Sequence, residues 1–271
     1  MANKISACMV IHNEHKTIKR CLESIKNVVD EIIIVHDGPC SDGSLDICAK
    51  YTKNIYVRPF IGIAEPHRVF SFEKACGDWI LYIDADEVLS NDLKLNIRKL
   101  AEKPDVDLYA FLWPYYDGKI DLTTSIRHPY RVCMARKSKM FFIGIPRQPM
   151  RTYGSLKKCD YIIYHRPMYN NYNFGIFYYK WLPRNIIEAE YVWMRYEEIP
   201  IFGINNIGEF KKYVNSIRSK PLLKMPLVFF ETFLWHIFKG MYKVGFKGFK
   251  MSLLMSLDVA SVQYYIWRNK K

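Results

Sequence analysis

The chain has 271 residues, half of them apolar, and 40 lysines and arginines against 27 acidic residues, a formal net charge of +13. This excludes a disordered polypeptide and leaves room for a full core as one domain plus an appendage, with no repeat or low-complexity run. Seven cysteines without any Cys-x-x-Cys, and no basic-then-apolar segment at the start, argue against a disulfide frame, a zinc site or a secreted protein and predict a cytoplasmic one with free thiols.

Residues 4–11 read as a first buried strand that ends in His12-Asn13-Glu14. A helix follows, with Ile18, Leu22, Ile25 and Val29 at three- to four-residue spacing. Residues 31–36 form a second strand, which runs into the glycine- and serine-rich loop 37–44. There Ser41 or Asp42 is expected to cap a short helix carrying Leu45, Ile47, Cys48 and Tyr51. A third strand at 54–58 and a helix over about 65–76 precede the apolar run 77–82, which leads into Asp84-Ala85-Asp86-Glu87. Alternating strands and helices imply right-handed crossovers and a mainly parallel sheet. Further on, 107–113 reads as a strand, Asp117-Gly118 as a hairpin turn, 130–135 and 140–145 as short strands, and 161–164 as a last strand ending in His165.

Ligand sites in open α/β sheets lie outside the carboxyl ends of the strands. Three such ends carry polar residues here: Asn13 with Glu14, Asp37, and Asp84 with Asp86. Two carboxylates one residue apart are hard oxygen donors for Mg²⁺ or Mn²⁺, which bind through one or two carboxylates plus substrate phosphates. An acidic turn after a strand is the simpler reading of the same residues. The set suits a nucleotide along one sheet edge with a metal on its diphosphate. Neither Gly-x-Gly-x-x-Gly nor Gly-x-x-x-x-Gly-Lys-Ser/Thr occurs.

The ordered motifs Val10-Ile11-His12-Asn13-Glu14, Ile34-Val35-His36-Asp37-Gly38 with Ser41-Asp42-Gly43-Ser44, Arg68, Gly77-Asp78-Trp79 and Asp84-Ala85-Asp86-Glu87 resemble family 2 glycosyltransferases of the GT-A fold. More narrowly, the chain is similar to the small bacterial and archaeal members typified by the lipopolysaccharide-core glucosyltransferases of the WaaE type. The resemblance is good over 4–95 and looser to about 170. It implies inverting transfer of a sugar from a nucleoside diphosphate donor to a glycan or lipid-linked acceptor. It places the nucleoside against Asn13, Glu14 and Asp37, with Arg68 near the base or diphosphate. It makes Asp84-x-Asp86 the metal motif, the second aspartate reaching Mn²⁺ or Mg²⁺. Arg68 reads equally as a surface helix arginine, and Asp42 better as a helix cap. The resemblance also equates His165 with a histidine held near the metal, a mixed donor set that suits Mn²⁺, while a histidine ending a strand beside Tyr164 and Arg166 is as often merely hydrogen-bonded.

In relatives, the middle region reads His-Glu shortly before a glycine, and that glutamate is the expected general base. Counting back from Gly154 puts Arg147 and Gln148 there. A glutamine amide has no useful basicity. Asp117 and Asp121 in the same segment are the replacements to test, beside their ordinary role as turn residues. The absence of that glutamate keeps an alternative open: a catalytically weak or silent GT-A fold that binds nucleotide-sugar and anchors partners at a membrane. A nucleotidyltransferase would need a glycine- and lysine-rich amino-terminal loop, which is lacking.

A GT-A domain over residues 1–170 and a basic helical extension over 171–271 are expected. From Asn205 onward twelve lysines and arginines face only Glu209, Glu231 and Asp258. The same stretch holds the apolar, aromatic run 226–238, which falls far short of the ~20 residues of a membrane span. Aromatic residues with basic flanks suit a helix lying in an anionic membrane surface, on the inner face of the cell membrane. Packing on the domain or on a second subunit in a homodimer competes with that reading. No signature of a nucleic-acid-binding fold occurs, so nucleic acid is not an expected partner.

Overall fold

A computed structural model describes residues 3–116, 118–119 and 129–270. The chain divides into two compact units. The first comprises 1–114, 129–168 and 200–204; the second comprises 115–128, 169–199 and 205–271.

The first unit opens as the apolar runs predict. Strand β1 (Ile5–Ile11) leads to helix α1 (Ile18–Ile25), whose buried Ile18, Cys21, Leu22 and Ile25 form one stripe against the sheet. Strand β2 (Glu31–Asp37), helix α2 (Ser44–Cys48), strand β3 (Ile55–Arg58), helix α3 (Glu65–Lys74) and strand β4 (Trp79–Tyr82) follow. Next come β5 (Glu87–Leu89), α4 (Asn91–Ala101, capped by Ser90), β6 (Leu108–Leu112) and β7 (Tyr130–Arg136). Strands β8 (Met140–Ile143), β9 (Arg151–Thr152), β10 (Leu156–His165) and β11 (Ile201–Phe202) complete the unit.

The main sheet has the order β3-β2-β1-β4-β7-β6-β10-β5. Its β3-β2-β1-β4 half is parallel, as the crossovers require, while β7 inserts antiparallel between β4 and β6. Trp79, Tyr109, Phe72 and Phe111 are fully buried at its centre. Each such side chain contributes about 1.5–3 kcal/mol by leaving water.

Three features depart from the sequence reading. Strand β10 starts at Leu156 rather than 161, because Lys157 and Lys158 interrupt the apolar run while the backbone still pairs with β6. Strand β8 leaves the main sheet and pairs with β9 and β11 in a small second one. The strand ending at His165 is also not the last, since β11 follows.

In the second unit, α5 (Phe174–Ile176) continues through a π-helical turn, Phe177–Trp181, into α6 (Leu182–Trp193). Helices α7 (Ile207–Arg218), α8 (Pro221–Phe238) and α9 (Phe246–Arg268) follow. Helix α6 is tied to α9 by Asn185, whose amide donates to Asp258 Oδ1 (2.9 Å) and Ser261 Oγ (2.7 Å), and by the Trp193 indole N–H on the Ile266 carbonyl (2.7 Å).

Helix α8 corrects the length read from the sequence. Leu222, Leu223 and Met225 extend it to 18 residues, about 27 Å at 1.5 Å per residue, which is long and apolar enough to cross a membrane by length and composition. Along it Leu223, Leu227, Phe230, Leu234 and Phe238, at spacings of four, three, four and four, are between 49% and 81% exposed. That is one apolar stripe on one face.

Candidate active site at the carboxyl ends of the parallel strands

Where β1 ends, Asn13 holds a left-handed backbone (φ 53°), a conformation asparagine tolerates better than most residues. Its N–H donates to His36 Nε2 (3.3 Å), and its Oδ1 accepts the Ser41 N–H (2.9 Å). Glu14 accepts the Thr17 hydroxyl at 2.9 Å, at the start of α1. Asp42 accepts the N–H groups of Ser44 (2.9 Å) and His15 (2.8 Å), so it supports the start of α2 and joins it to the loop after β1.

Asp37 closes β2 and is buried. It accepts the N–H groups of Ile61 (2.6 Å) and Gly62 (2.8 Å) and pairs with His67 Nε2 at 2.9 Å. Burial alone would raise its carboxyl; the His67 contact and the two backbone donors more than offset this and hold it below the ordinary carboxylate range. Beside it the exposed rings of His12 and Phe60 lie 4.9 Å apart. Gly38, at φ 82°, permits the turn: a side chain there would strike Phe60.

Where β4 ends, both oxygens of Asp84 are engaged. Arg68 on α3 donates to Oδ1 (2.7 Å) and Arg131 on β7 donates to Oδ2 (2.9 Å). The two guanidiniums sit at 4.9 and 5.0 Å from the Tyr82 ring centroid. Arg131 also bonds Glu87, which has no exposed surface. Burial pushes the Asp84 carboxyl up, but Arg131 and Arg68 outweigh it and hold the group well below its usual range. Asp86 points elsewhere: its Oδ2 lies 3.1 Å from His165 Nε2, at the end of β10. The His165 ring stacks on Trp113 at 4.4 Å, and its Nδ1 is buried with no hydrogen-bond partner among the described residues.

The structure thus brings Arg68, Asp84, Asp86 and His165 together, with Asn13, Glu14 and Asp37 along the neighbouring strand ends. Gln148 lies in the turn after β8, its N–H on the Ile145 carbonyl (3.3 Å), next to Arg147 at φ 62°. Asp117 and Asp121 lie outside the described residues. Sequence reasoning missed Arg131, Glu87 and Trp113. An arginine inside the apolar strand 130–135 was the available signal, because a buried cation requires a partner.

Among the described residues no group of three or more His, Cys, Asp or Glu side chains is placed to hold a metal. Asp86 and His165 fit one as a pair. They offer one carboxylate oxygen and one imidazole nitrogen 3.1 Å apart, donor types that Mn²⁺ accepts, and they would hold the ion together with substrate phosphate. Both oxygens of Asp84 already accept from guanidinium groups.

The acid dependence has a definite sign. Asp37 and Asp84 have depressed values in the folded state, so the stability they contribute is complete above their unfolded value of about 3.9 and is lost as pH falls through the folded values. Arg131→Met removes the cation between Asp84 and the fully buried Glu87, and breaking a buried pair in this way costs about 3–5 kcal/mol. Thermal melts at neutral pH should show that deficit relative to the unaltered chain.

Residues 6–155 match the family described as Glycosyl transferase family 2. The chain belongs to that family. Its central sheet is accordingly that of a family 2 glycosyltransferase, the GT-A fold, followed by a helical carboxyl-terminal region. An uncharacterized glycosyltransferase of Rickettsia conorii is 32% identical over 109 residues, 40% of this chain and 38% of that one. The SPbeta prophage-derived glycosyltransferase SunS of Bacillus subtilis is 27% identical over 175 residues, 62% of this chain and 40% of its own length. The chain therefore spans about two fifths of each of these relatives. Glucosyl-3-phosphoglycerate synthase of Mycobacterium tuberculosis, crystallised with Mg²⁺ and uridine diphosphate, aligns at 15% identity and a TM-score of 0.41 over 61% of this chain and 72% of that one.

Proposed function

We infer that this family 2 protein is an inverting, divalent-metal-dependent glycosyltransferase. It moves one sugar from a nucleoside diphosphate sugar to a glycan or lipid-linked acceptor of cell-surface polysaccharide or lipopolysaccharide synthesis. The observation that carries the reading is the split of the Asp84-x-Asp86 turn. One aspartate is clamped by two arginines, and the other faces His165 instead of a guanidinium. Asp86 and His165 would hold Mn²⁺ or Mg²⁺, which when bound neutralises charge on the departing nucleotide. Asn13, Glu14 and Asp37 would line the nucleoside, and the Arg68 and Arg131 cations add positive potential beside the diphosphate. Holding the acceptor hydroxyl against the anomeric carbon supplies much of the remaining acceleration. Release of sugar from a panel of labelled nucleotide-sugars, with and without acceptor extract, tests the activity; no turnover of any donor contradicts it.

Gln148 favours one second reading, a weakly active or silent nucleotide-sugar-binding protein, because an amide cannot take the acceptor proton. Gln148→Glu is expected to raise the rate, since a positioned general base contributes about 10²–10⁴-fold. Where Asp117 or Asp121 already serves, its Asn variant loses most activity yet binds donor normally. No response to any of the three places the acceptor side elsewhere.

The domain plan follows the same reading: residues 1–170 carry the transferase, joined by β11 from the later chain, and the rest of 171–271 brings it to the inner face of the cell membrane. The exposed stripe of α8 and the lysines at 220, 224, 239, 243, 247 and 250, within it and beside it in the sequence, support a surface that meets anionic lipid.

A further inference from the structure

Glu87 opens β5 with no exposed surface, and both of its carboxylate oxygens are engaged. Oε1 accepts the Trp113 indole N–H at 2.6 Å and an N–H of Arg131. Oε2 accepts the backbone N–H of Asp84 at 2.9 Å. The Glu87 N–H returns to the Asp84 carbonyl (3.0 Å) and closes the turn that carries both aspartates. Across the β5–β10 ladder Glu87 is paired with His165. Trp113, oriented by its bond to Glu87, stacks on the His165 ring, and that ring faces Asp86.

One carboxylate is therefore joined to both aspartates: to Asp84 through its N–H and Arg131, and to Asp86 through Trp113 and His165. Burying an ion costs several kcal/mol, which a partner's attraction only roughly offsets, so stability is a weak reason for a charge at this place. Orientation is a stronger one. Groups behind a metal's ligands fix ring and carboxylate direction, and their loss weakens metal binding even though they never touch the ion.

Resting on the reading of the site given above, we propose that Glu87 is a positioning residue of the donor site. It holds the Asp84–Asp86 turn through the Asp84 N–H and holds His165 against Asp86 through Trp113. Affinity for a divalent ion with nucleoside diphosphate then depends on a carboxylate that contacts neither.

The test is Mn²⁺ binding to the full chain, read by electron paramagnetic resonance with the nucleoside diphosphate that most raises the wild-type melting temperature. Glu87→Gln keeps the shape but sets an amide N–H against donors. It is expected to bind Mn²⁺ about 10–100-fold more weakly while metal-free nucleotide affinity stays unchanged. Trp113→Phe keeps a ring on His165 and loses only the N–H to Glu87. It should weaken Mn²⁺ binding in the same direction by less, and the double variant should be no weaker than Glu87→Gln alone, because both changes interrupt one connection. Wild-type Mn²⁺ affinity in both variants overturns the proposal, and so does an equal loss of metal-bound and metal-free affinity, the mark of a merely structural role. If Glu87→Gln fails to fold, unchanged Mn²⁺ affinity in Trp113→Phe overturns it. A wild type that binds no Mn²⁺ with any nucleoside diphosphate instead overturns the reading of the whole site, and this proposal with it.

Discussion

Asp86→Ala is expected to abolish sugar transfer and to strip nucleotide binding of its metal dependence. Asp86 faces His165 rather than a guanidinium, so it is the aspartate of the turn that is placed to reach an ion. Losing several kcal/mol of charge stabilisation on the leaving diphosphate slows the reaction about a thousandfold or more. The fold should survive, because Asp86 is partly exposed and its backbone bond to Arg166 N–H (2.7 Å) does not depend on the side chain. Asp84→Asn should do less damage: an amide oxygen still accepts from one guanidinium, though it loses the other. Steady-state transfer rates with and without Mn²⁺ check both expectations. An Asp86→Ala protein that folds and turns over normally would sink the assignment.

Charging the α8 stripe should have a comparably large effect on a different property. Leu227, Phe230 and Leu234 are exposed along one face, and each is worth about 1.5–3 kcal/mol when fully inserted into an apolar phase. Replacing all three with glutamate should therefore lower partitioning onto anionic liposomes about a thousandfold, since 1.4 kcal/mol is a factor of ten. The melting temperature should hardly change, because these side chains contribute little to the interior. Binding by the unaltered chain should also weaken as salt rises, through screening of the lysines. If the unaltered chain ignores liposomes and instead forms a salt-resistant dimer that the triple variant abolishes, the stripe is a subunit interface.

The two kinds of information in the chain differ in how far they reach. Strands β1, β2 and β4 were legible because each is an apolar run cut off by a polar residue, and a parallel sheet buried on both faces demands that pattern. The Asp84–Asp86 turn was legible for the same reason: acids directly follow such a run. What Asp84 does was not, because Arg131 is 47 residues away and reaches it only through antiparallel insertion of β7 beside β4. Pairing across that distance leaves no periodicity to read. Glu87 looked like one more acid in an acidic turn, and only its burial distinguishes it from a solvated one. The start of β10 was hidden by Lys157 and Lys158, which the strand tolerates by facing them outward. In the tail, the apolar run marked α8, but its length came from Met225 and from Leu222 and Leu223, which Lys224 separates from the hydrophobic block.

The assigned site requires a nucleotide held with a metal at the ends of β1, β2 and β4. Melting temperatures of the full chain and of Asp86→Ala, each with a series of nucleoside diphosphates in the presence and absence of Mn²⁺, address it directly. A ligand that binds only the folded state adds about 2.7 kcal/mol of stability at a hundred times its Kd, which such melts resolve. At least one nucleoside diphosphate should raise the melting temperature of the wild type when Mn²⁺ is present, with a smaller rise without it and none of the metal-dependent gain in Asp86→Ala. No shift with any nucleotide, or a shift that ignores Mn²⁺ and survives the loss of Asp86, would contradict it.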